Sequence, residues 1–462
     1  MKCKVMATAF CLFLCSGVFA ADGEDAQIPQ PEQAVQTITI EQIRTLALAN
    51  SRSLAKHNLA IQRTLLNERD RVFSNLPSPS VRASASVGIW NDGTRSAGNN
   101  NSSSDTFEAG ISFGISQGIF EGGKTLIQKA INDIESEIAR QAALAEYFNV
   151  LNSADSAFYA VLESAAVLEA EEASLQTALA ALAIAEVRLE TRMINQGELL
   201  KAMADKVERE NSLNQARRNL SLNTAKLRSL VGVNVLPPLQ QIDISGYDDL
   251  IIRLGDISDA DIDSIYNDFL QLLVAANPAL AQASLSSRQA EQNLSLAKRG
   301  YSPSIDASLS IPGLSFSQSR GAEFSGGVNL SLGMRIPVDL WAIANSVEKS
   351  RIARDMAALD YENASDTLEL DLQSALLNLF SLAGTVLHSR LSLDYAQKNF
   401  DFVEERYRLF QSSISDLSEA SALLVKGRNS LITANYGFLE ALSALRSLGA
   451  IDDIEKILDI LM

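Results

Sequence analysis

The sequence has no cysteine after residue 15 and only two histidines, His57 and His388. Cys3, Cys11 and Cys15 all fall in the first twenty residues, which read as a secretory signal. Lys2 and Lys4 precede an apolar stretch from Val5 to Leu14, and Val18-Phe19-Ala20 stands before Ala21 as a small-residue cleavage site. A mature chain starting near Ala21 contains no thiol, which excludes disulfide scaffolds, thiolate metal sites and cysteine nucleophiles. Two alternatives carry less weight. The apolar run is too short to anchor the chain as a spanning helix, and Leu14 is too bulky to precede a lipidated Cys15.

The two histidines sit in helical patterns without carboxylates at ligand spacing, so no metal centre is expected. Gly122-Gly123-Lys124 lacks the remaining glycine of a phosphate loop, and no nucleophile motif stands out. Neither an enzyme nor a cofactor is expected. Charge is one-sided, with 39 Lys and Arg against 56 Asp and Glu and a formal net charge of −17, which excludes nucleic acid as a natural partner. No segment after the signal reads as the long uncharged apolar run of a transmembrane helix, so any membrane crossing falls to strands.

Helix breakers are the next scarcity. Proline is missing between Pro79 and Pro237 and after Pro337, and glycine from Lys124 to Gln196 and from Glu198 to Val231. Such stretches accommodate very long helices. From about Gly123 to Arg192 one helix of some seventy residues would be on the order of 100 Å long.

What is present is present twice. At an offset of 218 residues, Asn211-Ser212-Leu213 recurs as Asn429-Ser430-Leu431 and Leu227-Arg228-Ser229-Leu230 as Leu445-Arg446-Ser447-Leu448. In the same frame Arg188 matches Arg406, Glu198 matches Asp416, Leu199 matches Leu417 and Ala202 matches Ala420. The repeat divides the chain into a signal (1–20), a flexible N-terminal segment (21–39), a first repeat (40–236), a linker (237–262), a second repeat (263–450) and a C-terminal tail (451–462). Each repeat reads as helix, β-hairpin, long helix, turn, helix.

The hairpins are expected at 80–117 and 304–336. Val81, Ala83, Ala85, Val87 and Ile89 alternate with polar or small residues. After a turn at Asn91–Asp105, so do Phe107, Ala109, Ile111, Phe113 and Ile115. Ile305, Ala307, Leu309 and Ile311, then Phe324, Gly326, Val328, Leu330 and Leu332, repeat the pattern. Strands of about ten residues with one apolar face suit a tilted crossing of a bilayer. Four strands cannot close a barrel, and lipid does not tolerate open edges, so closure requires other subunits.

Heptads mark the helices. Tyr147, Ala154, Val161, Leu168, Leu175, Leu182 and Leu189 are seven apart, as are Leu372, Leu379, Val386, Leu393, Phe400 and Tyr407. Leu213, Leu220 and Leu227, matched by Leu431, Phe438 and Leu445, line the return helices. Each half therefore folds back as an antiparallel coiled coil, with turns near Ile194–Glu198 and Gln411–Asp416. The alternative is a non-porous envelope rod or adhesin, which leaves the lipid-faced hairpins without a purpose.

The ordered set from about Ile40 to Ala450 resembles the TolC-like outer-membrane efflux and secretion channels. Ser116-Gln117-Gly118-Ile119-Phe120-Glu121-Gly122-Gly123 is similar to the family's strand-to-helix segment, Arg335-Ile336-Pro337-Val338 to its second-half counterpart, and Arg406-Tyr407 with Asp416, Leu417 and Ala420 to its second tip turn. The resemblance implies a mainly helical, internally duplicated chain with a small membrane β part, forming a homotrimer with a twelve-stranded barrel and a long periplasmic tunnel. It implies as partners a periplasmic adaptor, an inner-membrane transporter of the RND or ABC type, and outer-membrane lipid. By the same analogy Tyr407 helps hold the entrance shut, Asp416 and Glu419 ring it with negative charge, Glu198 is the first-half equivalent, and Gly122, Gly123 and Pro337 are strand-to-helix hinges. Gln411-Ser412-Ser413 departs from the family by lacking a glycine and a basic residue, so the family's salt-bridged lock is not expected.

Overall fold

A computed structural model describes residues 37–74, 76–88, 106–317, 321–324, 327–452 and 454–461. The signal, most of the expected N-terminal segment, Ile89, the turn at Asn91–Asp105, Ser325 and Gly326 lie outside them.

Ten α-helices and five strands follow one another in the described residues. The first repeat contains α1 (Ile40–Asn50), α2 (Arg52–Ser74), β1 (Ser78–Gly88), β2 (Thr106–Phe120), α3 (Lys124–Glu190) and α4 (Gln196–Val231). Next come α5 (Asp248–Gly255) and α6 (Asp259–Ala276). The second repeat continues with α7 (Pro278–Lys298), β3 (Ser304–Ser317), β4 (Gly321–Phe324), β5 (Asn329–Arg335), α8 (Leu340–Arg408) and α9 (Ile414–Gly449), and α10 (Ile454–Leu461) ends the chain.

The long proline-free stretches hold the two long helices, α3 free of glycine as well and α8 with a single one, Gly384. α3 has 67 residues and α8 has 69, each about 100 Å at ~1.5 Å per residue. The helices pack as a row: α2 and α4 against one side of α3, α7 and α9 against its other side, and α8 beyond them. By length and composition alone α8 is apolar enough to cross a membrane, with a stretch of mean hydropathy 1.3. Its apolar residues Leu372, Leu376, Leu379 and Val386 are buried in the protein core, where they serve helix packing.

All strands join one antiparallel sheet in the order β1, β2, β3, with β4 and β5 sharing the far side of β3. The expected fourth strand is thus two pieces. Pairing carries the apolar positions into rows across the sheet: Val81 with Phe113 and Ile311, Val87 with Phe107, and Leu309 with both Ile115 and Leu330. Ser308 pairs with Ser116 on one side and Ser331 on the other, on the opposite face. A bulge between Pro312 and Ser315 shifts the face by one residue, and Pro312, which has no N–H, stands at its start.

The core lies midway along the helices, where α1, α5, α6 and α10 pack on α3, α8 and α9. Residues 237–262 are more than a linker, because Leu250, Ile251 and Leu254 of α5 are buried there. Nor are 451–462 a free tail, since Ile457 and Leu461 of amphipathic α10 are fully buried. Ile38, at the end of the expected flexible segment, bridges to Leu239. Asp155, with its side chain 1% exposed, anchors this core. Arg44 clasps it through Nε at 2.6 Å and Nη2 at 2.8 Å, and Ser443 donates to it at 2.6 Å.

Burial refines the heptads. The seam of α8 is buried from Leu372 to Val386 and again at Phe400 and Tyr407. On α3 the leucines at 168, 175, 182 and 189 are only half-buried, and the fully buried stripe is Glu171, Ser174, Ala178, Ala181, Ala185 and Arg188. The reason is size. α3 has neighbours on both sides, and its small residues admit the large side chains of the second hairpin, Phe400, Tyr407, Leu417 and Leu424.

The repeat extends into backbone conformation. Asn50 and Asn277 donate to the carbonyls of Leu230 and Leu448, which are 218 apart, as are the left-handed caps Gly232 and Ala450.

Candidate functional site at the hairpin tips

α3 and α4 meet at a turn over Thr191–Asn195, and α8 and α9 at one over Leu409–Ser413. Both turns come a few residues earlier than expected. Asn195 and Ser413 are N-caps, accepting from the backbone N–H groups of Glu198 and Asp416 at 3.0 and 3.2 Å. The two acidic residues therefore sit in the first helical turn, where the helix dipole favours negative charge. Asp416 completes a capping box by accepting from the Ser413 N–H at 2.9 Å. These bonds hold its carboxyl below the usual carboxylate range, the backbone bond contributing most.

Each turn also holds a residue at the same repeat position in the left-handed region, Arg192 at φ 56° and Phe410 at φ 63°. Glycine adopts that conformation freely, whereas other side chains there cost of order 1–3 kcal/mol. Phe410 has a visible compensation in Arg188.

Arg188 ends α3 and is 4% exposed. Its guanidinium carbon lies 3.9 Å from the ring centroid of Tyr407 and 4.5 Å from that of Phe410, and its Nη2 donates to the Tyr407 carbonyl. The repeat equivalent, Arg406, donates instead to Gln411 in its own turn, at 2.9 Å. The first tip thus reaches into the second with a cation stacked on two aromatic faces. Tyr407 is itself fully buried, and its hydroxyl donates to the Ala181 carbonyl at 3.5 Å. Burial pushes its phenol up, with the Arg188 charge opposing and Glu198 adding to the rise. Lys201 donates to Ser415 at 3.0 Å and Ser418 to Asp205 at 2.8 Å, adding two further ties between the hairpins.

Of the residues singled out in the sequence, Tyr407, Asp416, Glu419 and Glu198 all lie at this end. Only Tyr407 is buried; Asp416 and Glu419 are exposed and Glu198 is half-buried. Gly122, Gly123 and Pro337 lie at the opposite end, at the strand-to-helix junction. Gly122 and Gly123 have φ of 66° and 77°. A Cβ on Gly122 would run into Ser302, while one on Gly123 would meet open space. Sequence reasoning used Arg188 only as a repeat marker. A basic residue on the buried face of an Ala-rich helix was the signal that it has a partner.

With two matching hairpins and a lipid-type sheet in place, the comparison with known proteins is specific. The sequence profile described as outer membrane efflux protein matches residues 43–233 and 269–450, one segment in each repeat. The chain belongs to the outer membrane efflux protein family. As a member of that family it is an outer-membrane channel protein, its long helices forming the periplasmic extension. It is similar to outer membrane protein TolC of Escherichia coli (strain K12), with 23% identity over 411 residues, 84% of this chain and 78% of that protein. Its fold is similar to the CmeC outer membrane channel of Campylobacter jejuni at a TM-score of 0.72 and 15% identity, covering 91% of this chain and 88% of that one. For CusC the TM-score is 0.73 at 17% identity, covering 93% and 99%.

Proposed function

We propose that this channel protein is the exit duct of a tripartite efflux pump or a type I secretion system, working as a homotrimer that receives substrate from the periplasm or from an inner-membrane transporter. The observation that carries this reading is that the protomer is unfinished along both edges in the same way.

The sheet is open at β1 and at β5. The helix row beneath it exposes heptad-spaced apolar residues on its outermost helices, Leu59, Leu66 and Phe73 on α2 and Tyr395 and Phe402 on α8, with Leu409 just past its end. Copies placed side by side cover both edges at once and leave no strand edge in lipid. Four strand positions per protomer give twelve in a trimer, and the apolar rows then face lipid. Trp341, 80% exposed just beyond β5, stands where an interfacial aromatic belt is needed.

At the other end Tyr407 and Arg188 hold the two hairpin tips of a protomer together, while exposed Asp416 and Glu419, with Glu198, give the entrance a negative rim that favours cations. The tips are the surface for a periplasmic adaptor and an RND or ABC transporter. The duct has no chemistry of its own to perform. Purified trimer in a planar bilayer should conduct ions with cation preference, and neutralising Asp416 together with Glu419 should weaken that preference. A lipid-inserted trimer that never conducts, even with its tips loosened by substitution of Arg188, would overturn the reading.

A further inference from the structure

In the half of the helix row nearest the sheet, α2 and α8 stand at opposite ends, and their exposed sides carry opposite charge. From Arg52 to Asn67 α2 has no acidic residue, and Arg52, Lys56 and Arg63 are exposed on it. From Asp355 to Ser389 α8 has no Lys or Arg, and Asp355, Glu362 and Asp366 are exposed on it. Among the described residues, Arg52, Lys56, Arg63, Glu362 and Asp366 enter no ion pair within the protomer, while Asp355 meets only its chain neighbour Arg354, at 2.5 Å. Exposed apolar residues interleave with both sets, Leu59 and Leu66 on α2 and Ile352 and Leu359 on α8. Successive members are three or four residues apart, so each set lies along one helix face.

Contacts across the row fix the relative heights of the two faces. Ser53 of α2 donates to Glu146 of α3, and Gln289 of α7 donates to Glu135 of α3 at 3.0 Å. Gly300, just past α7, lies against Ile343 of α8, which a Cβ would meet at 3.1 Å. α2 and α7 climb toward the sheet while α3 and α8 descend from it, so one residue up α2 answers to one residue up the descending α8, that is, one number lower. Counting through these contacts sets Ser53 level with Ser365. Arg52 is then level with Asp366, Lys56 with Glu362 and Arg63 with Asp355, while Leu59 is level with Leu359 and Leu66 with Ile352. Every member of one face has its complement on the other. The pattern ends above Leu66, where Arg69 and Asp70 are level with Lys349 and Glu348, and Arg351 already meets Glu348 at 3.4 Å.

Because α2 and α8 are the two ends of the row, these faces meet only between copies. A ring closes only when neighbouring copies stand at equal height, and a constant offset gives an open helix instead. Apolar residues seven apart do not exclude an offset, since a slip of one heptad sets leucine on an apolar residue again. Charge removes that freedom. A heptad slip of α2 toward the sheet sets Arg52 against Leu359, and a slip away from it sets Leu59 against Asp366. We propose that Arg52, Lys56 and Arg63 pair with Asp366, Glu362 and Asp355 of a neighbouring copy, and that this ionic belt is the register key that lets the ring close. The proposal rests on the homotrimer reading and adds to it the surface that selects the partner and its height. Equal height also brings β5 of one copy level with β1 of the next, so a belt in the helical wall serves closure of the sheet above it.

The chain has no cysteine after Cys15, so engineered thiols report the register without background. Detergent-purified chain carrying Leu59→Cys with Leu359→Cys should form disulfide-linked oligomers on oxidation. Leu59→Cys with Ile352→Cys, one heptad away, should form about tenfold fewer, because the bond tolerates little displacement. Arg52→Glu with Lys56→Glu should lower the trimer fraction read by native mass spectrometry about tenfold, and adding Glu362→Lys with Asp366→Lys should restore it. All four positions are exposed, and the thiol arm stands even if a charge-reversed chain misfolds. Equal cross-linking from both thiol pairs, a trimer fraction unmoved by charge reversal, or no recovery in a folded fourfold variant refutes the belt and leaves the trimer standing. A native chain that is not trimeric refutes the homotrimer, and the belt with it.

Discussion

Replacing Arg188 with methionine removes the charge at the tip and keeps a flexible apolar chain in its place. In the folded tip the guanidinium lies 3.9 and 4.5 Å from the centroids of Tyr407 and Phe410, contacts worth up to about 2 kcal/mol each when desolvated. Its hydrogen bond to the Tyr407 carbonyl adds roughly 1.5–3 kcal/mol. The opposing cost is burial without a counter-ion: among the described residues Nε has no partner and no carboxylate is paired with the group, and desolvating a cation in this way costs several kcal/mol. The balance leaves about 1–2 kcal/mol per protomer, roughly tenfold in the local opening equilibrium. Hydrogen exchange read by mass spectrometry over residues 403–416 measures that equilibrium. Arg188→Met should speed exchange there about tenfold and leave residues 372–386, in the central core, unchanged. A double-mutant cycle with Tyr407→Leu should give a coupling of about 1 kcal/mol. Exchange within twofold of the native chain, or no coupling, would show that the stacked cation holds nothing.

Three further perturbations probe other parts of the argument. Gly122→Ala and Gly123→Ala both force a side chain into the left-handed region, at about 1–2 kcal/mol each, but only Gly122→Ala also meets Ser302. Thermal melts of the trimer should therefore rank Gly122→Ala as the worse by a further 1–3 kcal/mol or so; equal melts would mean that the junction relaxes freely. Asp155→Ala leaves Arg44 and Arg446 facing an apolar core and should cost about 3–5 kcal/mol, and a loss under about 1 kcal/mol by denaturant titration would remove the ion cluster from the account of the core. The lowered pKa of Asp416 means that its cap is intact above the ordinary carboxylate range and lost only as pH falls through that lowered value. Tip exchange corrected for intrinsic rates should be flat through neutral and mildly acid pH and rise below it, and Asp416→Asn should abolish the rise. The same rise in the variant would assign it to another group.

Much of the fold is legible in the sequence because its causes are local. The absence of Gly and Pro permits α3 and the absence of Pro permits α8, alternation at Val81–Val87 and Phe107–Ile115 sets the apolar face of the sheet, and the 218-residue frame places Asn195 and Ser413 at equivalent caps. Features that depend on a third element are not legible. Ala181 and Ala185 are buried in preference to the neighbouring leucines because α9 and α8 press Leu424, Phe400 and Tyr407 against them, and heptad counting within one helix has no access to that partner. α5 and α10 were read as linker and tail because each is only eight residues long, too short for periodicity to stand out. At the tip, Tyr407, Asp416 and Glu419 were found by resemblance, whereas Arg188 required coordinates, since the residue it contacts is 219 positions away.

The difference between Arg188 and Arg406 is the point at which the two repeats stop being equivalent. Both arginines end a long helix, and both face a turn whose left-handed position is not glycine. Arg406 closes its own turn on Gln411, so the second tip is capped from within. Arg188 leaves its turn and stacks on Tyr407 and Phe410, so the first tip is bound to the second. A basic residue is absent from Gln411-Ser412-Ser413, but the cation has not been lost from the tip. It is supplied by the other hairpin and meets aromatic faces instead of a carboxylate. Such a contact is less sensitive to salt and to carboxylate titration than an exposed ion pair. The two hairpins of a protomer must therefore separate, or move together as one body, before the tips can part.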